Sequence, residues 1–157
     1  MPVGEPNPAD IARLVDAART HDVVIGSRYV PGGGVKNWSK NRERLSRGGN
    51  LYARLMLGFK LTDSTAGFRL YRRAVLETIP LDRVHSAGYG FQIEMTWRAW
   101  TLGFDIAEIP IIFEERRAGE SKMHGHIVYE ALWKVFLFAL RMKRRPRQAH
   151  PLSVRAS

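Results

Sequence analysis

The chain has 157 residues, a net charge of +10, 45% hydrophobic and 25% charged residues, and no cysteine. That is enough chain for one domain with a real core, and the missing cysteines exclude a disulfide framework and thiolate metal sites. No run reaches the ~18 to 20 apolar residues of a spanning helix, and Pro2, Glu5, Pro6, Asn7 and Pro8 interrupt any secretory leader, so the expectation is a soluble or peripheral protein.

In chain order, Asn7-Pro8-Ala9-Asp10 reads as a helix start, with a capping side chain and proline at the first helical position. Ile11, Leu14, Val15 and Ala18 follow at helical spacing. Val23-Val24-Ile25 is a short buried strand running into Gly26-Ser27-Arg28-Tyr29, and Gly32-Gly33-Gly34 opens a loop to about Arg42. A helix is expected over 44–57, a strand over 66–71, a short helix over 73–79 and a helix over 91–102. A single strand is expected over 104–113, a polar loop over 119–125 and a last helix over 127–143. Helices alternating with short apolar strands indicate an α/β fold with a mostly parallel sheet flanked by helices. Ligands of such sheets sit beyond the carboxyl ends of the strands.

Four groups of residues carry possible chemistry. Arg28 leaves a strand end, while Arg42 and Ser46 are four apart and share a helix face. Two guanidiniums and a hydroxyl make a phosphate cradle, or else ordinary surface arginines. Arg116 and Lys122 flank Gly119, in a loop suited to neutralising a diphosphate leaving group or simply to a charged turn. Gln92 and Glu94 open a helix, where Glu94 either serves a ligand or favours the helix N-terminus electrostatically. Asp63 is expected only to brace the turn at Ser64-Thr65, and His124 and His126 read as loop residues and not zinc ligands.

The fourth group is the last helix. Ile127, Val128, Ala131, Leu132, Val135, Phe136, Ala139 and Leu140 form an apolar stripe that Trp133, Leu137 and Phe138 widen. From Arg141 onward come Lys143, Arg144, Arg145, Arg147 and Arg155 with no Asp or Glu. A helix roughly 25 Å long with these flanks fits an anionic membrane interface. The competing reading packs it on the sheet. Net charge alone would admit nucleic acid as a partner, but no helix-turn-helix, RRM or KH pattern is present, so nucleic acid is set aside.

Seven ordered segments resemble the dolichol-phosphate (polyprenyl-phosphate) mannose synthase family, inverting glycosyltransferases of GT-A fold. They are Gly26 to Tyr29 (GSRY), Asn37-Trp38, Arg42 to Asn50 (RERLSRGGN), Asp63 to Arg73 (DSTAGFRLYRR), Gly88 to Met95 (GYGFQIEM), Glu108 to Arg116 (EIPIIFEER) and Gly119 to Met123 (GESKM). The resemblance implies a partial GT-A fold, with residues 1–123 as its acceptor-side part and 124–157 as an interfacial helix with a basic tail. It implies GDP-mannose as donor, polyprenyl or dolichyl phosphate as acceptor, and a peripheral place on the cytoplasmic face of the membrane. Arg28, Arg116 and Lys122 would bind the donor, and Arg42 and Ser46 the acceptor phosphate. Gln92 and Glu94 would line the active site, with no catalytic residue otherwise assigned.

Mg²⁺ or Mn²⁺ is expected for the family. The Asp-Ala-Asp motif that would ligate it, and the donor-binding half before it, have no counterpart in this sequence. The resemblance therefore implies a chain inactive by itself. The other reading is a catalytically inactive membrane-binding module derived from that family.

Overall fold

The computed structural model describes residues 7–114 and 125–142. Helix α1 (Pro8–Ala17) starts as its sequence requires, with Asn7 Oδ1 accepting from the Ala9 N–H at 3.0 Å. Its apolar positions split: Leu14 and Ala18 are buried against Val24, whereas Ile11 and Val15 stay half exposed.

Strand β1 (Val23–Ser27) is fully buried because it is the middle strand of three. It pairs antiparallel with β3 (Arg69–Tyr71) and parallel with β4 (Ile106–Pro110), Val23 standing opposite both Tyr71 and Ile106. A second sheet pairs β2 (Gly34–Lys36) with β5 (Ile112–Glu114), again parallel. Two of these three described pairings are parallel, and helices flank the sheets, as expected for an α/β chain.

The single strand expected over 104–113 is two strands. The chain breaks at Ile111, whose side chain is buried and whose N–H donates to Ser27 O at 3.0 Å. That bond takes the chain out of the first sheet and into the second. The glycine loop likewise holds the unforeseen β2. Gly33 is required there, since a Cβ would lie 2.6 Å from Ser27 O and 2.9 Å from Arg28 C. The loop therefore lies directly on the backbone at the end of β1, which is the end expected to meet a ligand.

Helix α2 (Lys40–Leu57) begins four residues earlier than expected, because Ser39 caps it, its Oγ accepting from the Arg42 N–H. Gly58, at φ 72°, ends it in the left-handed conformation glycine tolerates. Helices α3 (Arg73–Thr78), α4 (Gly88–Thr101) and α5 (Gly125–Met142) follow, α4 starting three residues before the expected Phe91.

α5 packs on α2 and α4. Val135 and Phe138 enter the main core beside Leu57, Phe59, Ile93 and Met95. The broad stripe read from the sequence is thus two faces. One is core, and the other leaves Tyr129 (72%), Trp133 (53%), Phe136 (38%) and Leu140 (47%) exposed. Among the described residues, no helix is long and apolar enough to cross a membrane.

Candidate functional site

The site lies beyond the end of β1. Arg28 and Asp63 are both buried there and form a two-point pair, Nη2 to Oδ1 at 2.6 Å and Nε to Oδ2 at 2.7 Å. The Arg28 backbone N–H also donates to Asp63 Oδ2 at 3.0 Å, and Nη2 reaches Thr65 Oγ1 at 2.9 Å. Burial works against the Arg28 charge, but the Asp63 hydrogen bonds and charge outweigh it and raise the pKa. This guanidinium stays charged.

Asp63 itself is placed by two neighbours. Glu108 on β4 accepts from the Asp63 N–H at 2.8 Å and from the Thr62 N–H and hydroxyl at 2.9 Å each. Asn50 on α2 accepts from the Ser64 N–H at 2.8 Å and donates to Thr65 Oγ1 at 3.1 Å and Ser46 O at 3.0 Å. The 62–65 turn therefore ties sheet to helix through buried polar bonds, and Arg28 is held in the middle of it.

The structure brings Arg28, Arg42 and Ser46 together. The guanidiniums of Arg42 and Arg28 lie 4.1 and 5.2 Å from the centroid of one ring, Trp38, within cation–π range. Trp38 is itself set edge-on to Phe113 of β5. Tyr29 completes the group: its hydroxyl donates to Ser46 Oγ at 2.6 Å, and Arg47 lies 4.4 Å over its ring. Burial raises the Tyr29 pKa despite the opposing Arg28 charge, which keeps the phenol a donor at neutral pH. Because Ser46 Oγ accepts from Tyr29, its own proton is left for another acceptor. Tyr29→Phe is expected to lower stability by about 1 kcal/mol, measured by urea unfolding. An unchanged midpoint would mean that the bond contributes nothing.

Beside this group runs a narrow apolar groove between α2, α4 and α5. Ser46, Thr65 and Trp38 line it near the arginines, and Leu45, Ile93, Val128, Leu132 and Val135 line the rest.

Gln92 and Glu94 lie on α4 in different surroundings. The Gln92 carbonyl accepts from Arg69 Nη1 at 3.0 Å. Glu94 is buried, bonded to the Ser86 hydroxyl and N–H and ion-paired with Arg98 at 2.7 Å. Burial works to raise the Glu94 pKa, but the Ser86 and Arg98 bonds outweigh it, and the value falls below the ordinary 4.5. With the folded-state value depressed, the stabilisation is full above the unfolded value and disappears as pH falls through the folded one. Glu94→Gln should therefore flatten the loss of stability below about pH 4.3, measured as urea midpoints from pH 6 to pH 2.5. An unchanged acid limb would show that Glu94 does not contribute to it.

Arg116, Lys122, His124 and the basic tail from Lys143 lie outside the described residues. Among the described residues no group of three His, Asp or Glu is placed to hold a metal ion. The two carboxylates nearest the site, Asp63 and Glu108, are turned to Arg28 and to N–H and hydroxyl donors, which does not fit a divalent cation.

Asp63 braces its turn as expected, accepting from Thr65 Oγ1 at 3.3 Å, but its pairing with Arg28 and the parts played by Glu108, Asn50 and Tyr29 are not foreseen from the sequence. Arg28 and Asp63 stand 35 residues apart, a separation that carries no periodic signal.

The profile of the family described as Glycosyl transferase family 2 matches residues 4–80. The chain is 52% identical over 137 residues to the undecaprenyl-phosphate mannosyltransferase of Micrococcus luteus, covering 87% of this chain and 56% of that protein. It is 50% identical over 139 residues to the polyprenol monophosphomannose synthase of Mycolicibacterium smegmatis, covering 88% of this chain and 52% of that protein. The chain spans about half the length of these curated relatives. Motif order, the α/β framework and about 50% identity over most of the chain are consistent with a partial member of the polyprenyl-phosphate mannose synthase family.

Proposed function

We infer that this chain forms the acceptor side of a transferase that moves mannose from GDP-mannose to a polyprenyl or dolichyl phosphate. One observation carries the reading. Two guanidiniums stacked on one tryptophan, beside an oriented serine hydroxyl, stand at the edge of an apolar groove. That pairing suits an amphiphile with a phosphate head and a hydrocarbon tail. Arg42 and Ser46 hold the phosphate. Arg28, almost wholly buried and ion-paired with Asp63, supplies a fixed platform on the donor side. The relatives' names, with their polyprenyl phosphate and mannose, favour the same substrates.

In the transfer, an acceptor phosphate oxygen attacks the anomeric carbon of mannose with inversion. The bond from that carbon to the nucleoside diphosphate breaks, and the diphosphate leaves with the electron pair. The attacking oxygen is already anionic, so no general base is needed. Arg42 and Ser46 contribute by fixing its direction of approach. Arg116 and Lys122 are proposed to meet the departing diphosphate, and Gln92 and Glu94 to support the site from α4. The described residues do not supply ligands for Mg²⁺ or Mn²⁺.

The reading also places the protein peripherally on the cytoplasmic face of the membrane, with the exposed side of α5 toward lipid. That exposed side equally favours a second reading, a membrane-binding module without transfer activity.

Binding of farnesyl phosphate to the chain, measured by calorimetry, tests the acceptor site. Arg42→Ala is expected to weaken it at least tenfold, since a hydrogen bond to a charged group contributes about 1.5–3 kcal/mol. Ser46→Ala should weaken it less. Equal affinities for wild type and Arg42→Ala would overturn the assignment.

A further inference from the structure

A second recess lies away from the acceptor groove, between the 80–85 turn and the C-terminal ends of α4 and α5. It has a volume of about 600 Å³ and is walled by Arg83, His85, Trp97, Arg98, Leu102 and Arg141, with no carboxylate among its described lining residues. We propose that this recess binds the phosphodiester headgroup of an anionic phospholipid.

The chemistry is built in part before any ligand arrives. Arg98 is held by Glu94 through Nε at 2.9 Å and Nη2 at 2.7 Å, and Nη2 also donates to Arg83 O at 2.7 Å. The buried Glu94 offsets the Arg98 charge but fixes the guanidinium and, through the Arg83 carbonyl, the turn that carries Arg83. Trp97 stacks on Phe138 with ring centroids 5.0 Å apart, so the floor of the recess is continuous with the packed core. Arg83 and Arg141 bring the positive charge that Glu94 leaves unbalanced. They sit on separate elements and approach one space from two sides.

The helix that carries Arg141 favours a lipid over a free anion. Besides lining the recess through Arg141, α5 leaves Tyr129, Trp133, Phe136 and Leu140 exposed. A lipid held by its headgroup in the recess would meet, on the same helix, an apolar and aromatic surface of the kind found at a bilayer interface. A soluble phosphate has no use for that surface. The recess and the acceptor groove also share α5. Ala131 lines the groove and Arg141 the recess, ten residues or about 15 Å apart along the helix. Filled together, they would give α5 two anchors, one at the substrate and one at a bulk lipid, and so set its rotation on the membrane.

This inference rests on the membrane-facing reading of α5 and not on the acceptor groove, and the test keeps the two apart. Dihexanoyl phosphatidylglycerol, below its micellar concentration, is titrated into the 157-residue chain, with the indole N–H signal of Trp97 followed by NMR. Glycerol phosphate and dihexanoyl phosphatidylcholine are the comparison arms. The phosphatidylglycerol should shift the Trp97 signal at concentrations at least tenfold below those the other two require.

Arg83→Gln with Arg141→Gln should weaken that binding tenfold or more. Arg13→Gln with Arg19→Gln, which removes the same charge from α1 and the turn that follows it, should change it less than twofold. Arg42→Ala should leave it unchanged while weakening farnesyl phosphate. Equal losses from the two paired variants would reduce the effect to net charge and overturn the site. A shift by glycerol phosphate at the same concentration would overturn the choice of a lipid. Circular dichroism of each variant checks the fold, and Arg83→Lys with Arg141→Lys should retain most of the binding.

Discussion

Asp63→Ala is expected to destabilise the chain by about 3–5 kcal/mol, the loss associated with leaving one partner of a buried ion pair uncompensated. Asp63 is fully buried and receives three bonds from Arg28, one from its backbone and two from its guanidinium. Without the carboxylate, Arg28 keeps its charge inside a wall of Tyr29, Trp38 and Phe113, with Thr65 as its remaining side-chain hydrogen-bond partner. Such a loss is a large fraction of the stability of a domain. The check is urea unfolding of the variant against wild type. The paired change Arg28→Met with Asp63→Leu separates charge from packing. Removing both charged groups with retained volume should recover part of the loss, because the desolvation of the pair disappears with it. A loss below about 1 kcal/mol for Asp63→Ala, in the range of a surface pair, would mean that solvent reaches Arg28 readily and that the platform under the acceptor site is not rigid.

How far the site was legible follows from which separations leave a pattern. Arg42 and Ser46 are one helical turn apart, so periodicity alone puts them on one face, and the structure keeps them there. Arg28 is recognisable because it follows a buried strand. Its partner is not, since Asp63 comes from a turn whose position depends on Glu108 of β4 and Asn50 of α2. Nothing local in Asp63-Ser64-Thr65 announces that three elements converge on it. The same limit applies to Trp38, whose role as a shared platform for two arginines depends on the loop folding back over β1.

The elements show the same division. β1 and the start of α1 were evident because apolar continuity and capping are local signals. The break between β4 and β5 was not, because Ile109-Pro110-Ile111-Ile112-Phe113 is apolar throughout and only the bond from Ile111 to Ser27 divides it. The early start of α2 depends on the cap at Ser39, which the polar residues after the glycine loop mask in the sequence. In α5 the periodicity revealed more apolar surface than one contact needs, but not which side is covered. That is decided by α2 and α4, which take Val135 and Phe138.

That division of α5 makes opposite predictions for neighbouring residues. Phe138→Ala is expected to destabilise the chain by about 3–5 kcal/mol, the range for a buried phenylalanine, because it is 5% exposed and stacks on Trp97. Phe136→Ser with Leu140→Ser, only two positions to either side, should leave the unfolding midpoint nearly unchanged, since these side chains are 38% and 47% exposed. On the membrane-facing reading the same double variant should bind vesicles of anionic and neutral lipid several-fold more weakly. The loss should persist at high salt, because the transfer of apolar surface is not screened. Replacing Arg144, Arg145 and Arg147 with Ser should act the other way, weakening binding at low salt and little at high salt. Cosedimentation at two ionic strengths, with unfolding curves for each variant, separates the two contributions. If the Phe136 and Leu140 changes unfold the chain, that face of α5 is covered by protein. If they leave both folding and vesicle binding intact, lipid is not what it meets, and α5 holds the groove in place without touching the bilayer.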